Sequence, residues 1–319
     1  MPAKLCGLSN LAGLASMWVR IPLPLRLPLV IGLLIANTVL HVGVLLLVAL
    51  VKLAGIRAWR RAIDDTLGGI ASRWIGVNSG LIDRFTRTRW QVSLPPDLMP
   101  RGNYLVMSNH QSWVDIPVLQ YLFNRRIPLL RFFLKRQLIW VPLLGLAWWA
   151  LDFPFMRRYT KAQLARRPEL AGTDIAATRR ACEKFRQIPV AVMNFVEGTR
   201  FTPEKHARQG SPYVHLLRPK AGGVAFVLEA MGDVLRGVLD VTIAYPGGRP
   251  TLMDLLCDRV GEVRVEVRAR PIPAEFVGAS YERDPGLRER FQSWINTLWS
   301  EKDEALARMM ATPSHPDGR

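Results

Sequence analysis

Residues 104–115 read YLVMSNHQSWVD. Tyr104–Met107 has the composition of a buried strand nearing its end, Ser108 and Asn109 punctuate it, and a helix is predicted from near Ser112. His110 is thereby placed at the edge of a strand, where functional side chains are commonly carried. Outward from this point, strand-like and helix-like runs alternate. IPVLQYLFN (116–124) reads as a helix and IPVAVMNFVE (188–197) as a buried strand ending at Glu197. AGGVAFVLEAMG (221–232) reads as a helix, VLDVTIAY (238–245) as a strand, and VRVEVRARPI (263–272) as an outer or half-exposed strand with valines alternating with charges. TDIAATRRACEKFRQ (173–187) has Thr173 or Asp174 as a cap and a helical apolar face, and 284–310 reads as a C-terminal helix with Leu287, Phe291, Trp294, Ile295 and Leu298 inward. The expected fold class is α/β: a layered domain with a mixed sheet flanked by helices, preceded by an N-terminal membrane-embedded helical segment.

The chain has 319 residues, about half of them apolar, which excludes a disordered protein. Its three cysteines, Cys6, Cys182 and Cys257, fit neither a disulfide framework nor paired zinc ligands, so no metal site is expected. The formal charge of +17 calls for an anionic partner. Leu27–Val51, twenty-five residues without a charged side chain, points to lipid rather than nucleic acid. As a helix this run would reach about 37 Å, enough to cross a hydrocarbon core of about 30 Å. The alternatives are a cleaved signal peptide, a buried soluble helix, or a re-entrant hairpin turning near Asn37, His41 and Gly43. Lys52, Arg57, Arg60 and Arg61 outweigh Lys4, Arg20 and Arg26, which predicts an inner-membrane protein with its C-terminal domain on the cytoplasmic side.

The expected organisation is an N-terminal segment at 1–26, a transmembrane or re-entrant helix at 27–54 and an amphipathic, membrane-associated connector at 55–90. A catalytic domain at 91–275 and a C-terminal helix and tail at 276–319 complete the chain. The connector is equally compatible with a helix packed on the domain. Five basic residues between Arg125 and Arg136 precede fourteen uncharged ones, Leu138–Leu151, with Trp140, Trp148 and Trp149. That is short for a span and suits a buried or interfacial element.

A second motif, NFVEGTR (194–200), ends the strand at Glu197 with an acid, a flexible glycine and an arginine that can hold a phosphate. Two such strand ends are expected to open on one cleft. A local surface pair of Glu197 with Arg200 is the plainer alternative.

These motifs resemble those of the glycerolipid acyltransferases typified by lysophosphatidic acid acyltransferase. The first block, Asn-His, four residues, then Asp, is matched at Asn109, His110 and Asp115. DFPFMRR (152–158) is similar to the second block and places its phosphate-binding arginine at Arg158 rather than Arg157. FVEGTR matches the third with Val196 where proline is usual; together with LLRPKAGG (216–223) this looks like the lysophospholipid and lysocardiolipin acyltransferase subgroup. VTIAYP, ending at Pro246, corresponds loosely to the fourth. The resemblance covers roughly residues 85–250. It implies acyl transfer from acyl-CoA or acyl carrier protein to the free hydroxyl of a lysophospholipid, lysophosphatidic acid giving phosphatidic acid foremost, with a lysocardiolipin-like or ornithine-containing acceptor as the alternative.

On this reading His110 is the general base, Asp115 fixes its tautomer, and Arg158, Glu197, Gly198, Thr199 and Arg200 bind the acceptor phosphate. No cofactor or metal is expected; membrane lipids and the two substrates are the partners, and nucleic acid is not. Ser108 or Ser112 as an acyl-serine nucleophile, and a non-catalytic anionic-lipid-binding protein, are the rival expectations.

Overall fold

The structure is a computed structural model that describes residues 18–53, 57–156, 166, 181–186, 188–281 and 283–313. The elements, in chain order, begin with helices α1 (Leu23–Leu53) and α2 (Arg60–Phe85) and strands β1 (Arg89–Ser93) and β2 (Tyr104–Ser108). Helix α3 (Asp115–Phe123), strands β3 (Leu130–Phe132) and β4 (Leu134–Lys135), helix α4 (Leu144–Ala150) and strand β5 (Phe155–Met156) come next. Strand β6 (Ala191–Phe195), helices α5 (Pro203–Gln209) and α6 (Gly222–Met231) and strand β7 (Gly237–Ala244) follow. Helix α7 (Leu252–Leu256), strand β8 (Glu262–Arg270) and helix α8 (Pro285–Ala311) end the series.

Six strands form one mixed sheet in the order β1-β8-β7-β2-β6-β3, with β4 and β5 as a separate pair. Within the large sheet only β7 and β8 run antiparallel. β2 is buried at all five positions and β7 at all eight, as strands covered on both faces must be. Alternation sends Leu105 and Met107 to one face, against α6 and α8, and Tyr104 and Val106 to the other, against α3.

One expectation changes in part. β8 is not an outer strand, since β1 lies outside it and β7 inside, although its second half is half-exposed. Its charges are tolerated because they neutralise one another. Arg264 donates from Nε and Nη2 to the two Glu262 oxygens at 2.9 and 3.0 Å, and its Nη1 reaches the carbonyls of Met309 and Thr312 at the end of α8. Helix α8 packs through the apolar face read from its sequence. Leu287, Phe291, Ile295, Leu298 and Trp299 belong to the same core as the sheet. Asp284 caps the helix by accepting from Leu287 N at 3.0 Å, and Pro285 stands in its first turn.

The apolar run forms one unbroken helix, α1, of a length and composition that could cross a membrane. The re-entrant turn within it does not form, because its polar residues find partners without leaving the helix. Asn37 Nδ2 donates to Trp74 O and Asn78 Oδ1 of α2 at 3.1 and 2.8 Å, and Trp74 Nε1 donates to Thr38 Oγ1 at 3.2 Å. Helix α2 returns alongside α1, burying Ile63, Leu67, Ile70 and Ala71 against it and α4. Both ends of α1 are tied to the rest of the chain. Arg26 donates to Cys257 O at 3.4 Å and pairs with Asp258 at 3.8 Å, while Lys52 pairs with Asp64 at 2.8 Å and Asp152 at 2.7 Å. Of the predicted helix at 173–187, Thr173 and Asp174 lie outside the described residues; Ala181–Phe185 is helical.

Candidate active site

The two motifs meet because of strand register. β2 and β6 run parallel with Ser108 opposite Phe195, so His110 and Glu197 both stand two residues beyond the same edge of the sheet. Asn109 locks this edge to β7, donating to Ile243 O and accepting from Ile243 N, both at 2.9 Å.

His110 Nδ1 lies 2.8 Å from Asp115 Oδ2 at the start of α3. A carboxylate accepts, so Nδ1 carries the proton and Nε2 keeps its lone pair. The same Asp115 oxygen accepts from Gln111 N at 2.7 Å and Ser112 N at 2.9 Å, and the other accepts from Tyr245 Oη at 2.7 Å. Burial, and then the charge of Asp115, push the Tyr245 phenol well above its ordinary value, so it remains a donor. The imidazole stacks on Phe195 with ring centres 3.8 Å apart.

Glu197 does not face a substrate phosphate as expected. It is fully buried, and its oxygens accept from His110 N at 2.8 Å and Leu217 N at 2.9 Å. Burial pushes this carboxyl up to about 8 against the pull of those two donors. It therefore positions the His110 backbone, and no surface pair with Arg200 forms. Gly198 follows with φ 69°, a left-handed turn open to glycine at no steric cost, and a Cβ here would come within 3.3 Å of the Lys220 side chain. Arg200 is exposed, its guanidinium 4.6 Å from the Trp113 ring centre. Thr199 Oγ1 accepts from Lys205 Nζ at 2.8 Å. Arg158 and Arg157 lie outside the described residues.

The serines are turned to structural work. Ser108 Oγ donates to Asn109 O at 2.9 Å, and Ser112 Oγ donates to Pro250 O while accepting from Val114 N at 3.0 Å; both residues are buried. Neither lines the cavity on which His110 opens.

That cavity has a volume of about 960 Å³. Its mouth holds His110, Trp113, Thr199, Arg200 and Lys220, and it continues past Phe132 and Leu130 to Val42, Leu45 and Ile70 of the α1–α2 pair. A polar, cationic entrance thus leads into an apolar interior. Two residues of this site were missed from sequence. Tyr245 sits within the fourth motif, VTIAYP, but looked like core; Lys220 sits in LLRPKAGG, where only the pattern was noted. Among the described residues no group of three His, Cys, Asp or Glu side chains could hold a metal ion.

The family model described as Acyltransferase matches residues 89–246. The 1-acyl-sn-glycerol-3-phosphate acyltransferase delta of Mus musculus is 23% identical over 254 residues, covering 74% of this chain and 62% of the relative. Lysocardiolipin acyltransferase 1 of Gallus gallus is 25% identical over 268 residues, covering 79% of this chain and 64% of the relative. The chain thus spans somewhat under two thirds of the length of these relatives. The crystal structure of the 1-acyl-sn-glycerophosphate (LPA) acyltransferase PlsC from Thermotoga maritima superposes with a TM-score of 0.55 at 15% identity, covering 92% of this chain and all of that one, and so shares the fold. The motifs, the His110–Asp115 pair and the family match together identify residues 89–246 as an Acyltransferase domain.

Proposed function

We propose that the protein transfers an acyl group from an acyl thioester, acyl-CoA or acyl carrier protein, to the free hydroxyl of a lysophospholipid, lysophosphatidic acid being the first choice. The observation that carries this reading is the His110–Asp115 pair at the mouth of a deep apolar cavity with cations beside it. Nε2 of His110 takes the proton of the acceptor hydroxyl as the oxygen attacks the thioester carbonyl carbon. Asp115 stabilises the imidazolium as it forms. Collapse of the tetrahedral intermediate breaks the C–S bond, and the departing thiolate takes the proton back from Nε2. No metal or organic cofactor enters this sequence.

Arg200 and Lys220, with Arg158 from the second motif, bind the acceptor phosphate, and Trp113 holds the Arg200 fork in place. The acyl chain lies in the apolar interior. An acceptor of the lysocardiolipin type is the second reading, favoured by Val196 in the third motif and by the similarity to lysocardiolipin acyltransferase 1.

The outward face of α1, with Leu25, Ile35, Leu40 and Leu47, and the exposed Trp140 and Trp149 support a cavity that opens against a lipid surface. The basic residues after α1 support a cytoplasmic, inner-membrane location, since the anionic lipid of the cytoplasmic leaflet attracts them. The test is product analysis with a panel of labelled lysophospholipids and acyl-CoA. Wild-type protein should yield diacyl product that His110→Ala does not, and Arg200→Ala should raise the apparent KM for the acceptor far more than for the donor. Undiminished turnover by His110→Ala sinks the general-base role, and equal loss toward both substrates removes Arg200 as the phosphate anchor.

A further inference from the structure

The cavity is apolar for most of its length, yet one of its walls carries an imidazole on an otherwise apolar helix. His41 of α1 lines it, as do Val42 and Leu45 of the same helix and the polar Ser72, Gln120 and Asn124. The other polar side chains of this helix hold the α1–α2 pair together: Asn37 and Thr38 both bond across to α2. His41 does not. Its Nδ1 lies 3.0 Å from Asn37 O of its own helix. A carbonyl only accepts, so Nδ1 bears the hydrogen and Nε2 is left as an acceptor, with no protein partner among the described residues. A plain alkyl chain drawn past this atom would strip it of water and return nothing. A hydroxyl would donate to it.

Position along the cavity follows from α3. Asp115, which holds His110, begins this helix; Asn124, just beyond its end, donates to Ser72 O of α2 at 3.0 Å, next to Trp74, whose indole bonds Thr38. The span from Asp115 to Asn124 is nine residues, or about 14 Å of helix. The start of α3 thus serves the reacting carbonyl and its end the part of the cavity walled by α1 and α2, where His41 meets the acyl chain rather than its carbonyl.

We propose that His41 is a specificity-determining residue, and that the acyl chain preferred by this protein carries a hydrogen-bond donor, a hydroxyl, on its distal half, which Nε2 accepts while Gln120 offers a second polar partner. This rests on the acyl-transfer reading above.

The experiment uses the full chain in detergent or vesicles with a lysophospholipid acceptor. The donors are paired saturated acyl-CoA thioesters of equal length, one unsubstituted and one hydroxylated on its distal half. The wild-type protein should favour the hydroxylated donor by about tenfold in kcat/KM. His41→Leu should reverse the preference, gaining on the alkyl donor and losing on the hydroxylated one. His41→Gln, which restores an acceptor, should recover part of the preference. Equal use of the two donors by the wild type, or a preference that survives His41→Leu, overturns the proposal and leaves acyl transfer standing. Absence of transfer from every donor overturns the underlying reading with it.

Discussion

Asp115 accepts from His110 Nδ1, Gln111 N and Ser112 N on one oxygen and from Tyr245 Oη on the other. This arrangement separates the charge of the residue from its shape. In Asp115→Asn the amide oxygen is forced toward the three nitrogen donors, and the amide nitrogen can donate to the tyrosine oxygen. The His110 tautomer and the local geometry therefore survive, and only the charge facing the imidazolium is lost. A hydrogen bond to a charged group is worth about 1.5–3 kcal/mol, so kcat should fall by about ten- to hundredfold with little change in melting temperature. Loss of the fold in this variant, or full activity, contradicts that division. Glu197 adds a pH dependence. Its carboxyl titrates near 4.5 in the unfolded chain and is pushed to about 8 by burial. Between those values the native state binds the extra proton, so this residue makes stability fall as pH rises through the window and adds no further slope above it. Melting curves at about pH 5 and about pH 8 should show a decline in wild type that is reduced in Glu197→Gln; parallel curves would contradict it. The Asn-His-Asp spacing was legible in sequence because all three residues belong to one turn between β2 and α3. The roles of Tyr245 and Glu197 were not, because their partners are 130 and 87 positions away in the chain.

Helix α1 was recognisable from hydropathy alone, but its lie relative to the domain was not, since that depends on two ion pairs at its ends. Arg26 and Lys52 are separated by 26 residues, about 39 Å of helix, and each binds a carboxylate outside α1, Asp258 and Asp152. A helix that left the domain to cross a bilayer would keep only one of these contacts. With both contacts kept, α1 lies along the domain, and its apolar face is expected in one leaflet. Basic flanks are drawn to the anionic cytoplasmic leaflet whether the helix spans or lies flat, which is why sequence could not choose between them. Single cysteines at Arg20 and Arg283, in a chain with Cys6, Cys182 and Cys257 replaced, test the choice. An impermeant maleimide should label both from the same side of sealed vesicles. Labelling from opposite sides would establish a crossing and require the Arg26–Asp258 contact to be broken in the membrane.

At the scale of the whole molecule, α8 braces the sheet and the catalytic loop together, and a buried charge marks the junction. Lys302 is 1% exposed and lies 2.5 Å from Asp240 Oδ1 of β7, donating also to Val241 O. Two residues of the same helix reach the segment that carries Leu217, the residue that holds one Glu197 oxygen. Trp299 Nε1 donates to Leu217 O at 3.2 Å, and Asp303 accepts from Val214 N and His215 N at 2.8 and 2.7 Å. The apolar stripe of α8 was readable in sequence; its buried lysine was not, because a buried charge has no pattern of its own. Burial drives Lys302 below the ordinary lysine value, with Asp240 pulling it back up. Removing either partner therefore has unequal consequences. Lys302→Met leaves Asp240 buried with Arg270 Nη2 at 3.6 Å as its remaining cation and should cost about 3–5 kcal/mol. Asp240→Asn should cost less, because the lysine can lose its proton. Its native value then lies further below the unfolded one, the native state binds fewer protons, and the stability of this variant should rise with pH toward the ordinary lysine range. Lys302→Met with Asp240→Leu removes both charges and should recover most of the loss. Denaturant midpoints for the three variants at two pH values decide the matter. A Lys302→Met midpoint within about 1 kcal/mol of wild type would show that α8 is held by its apolar stripe alone.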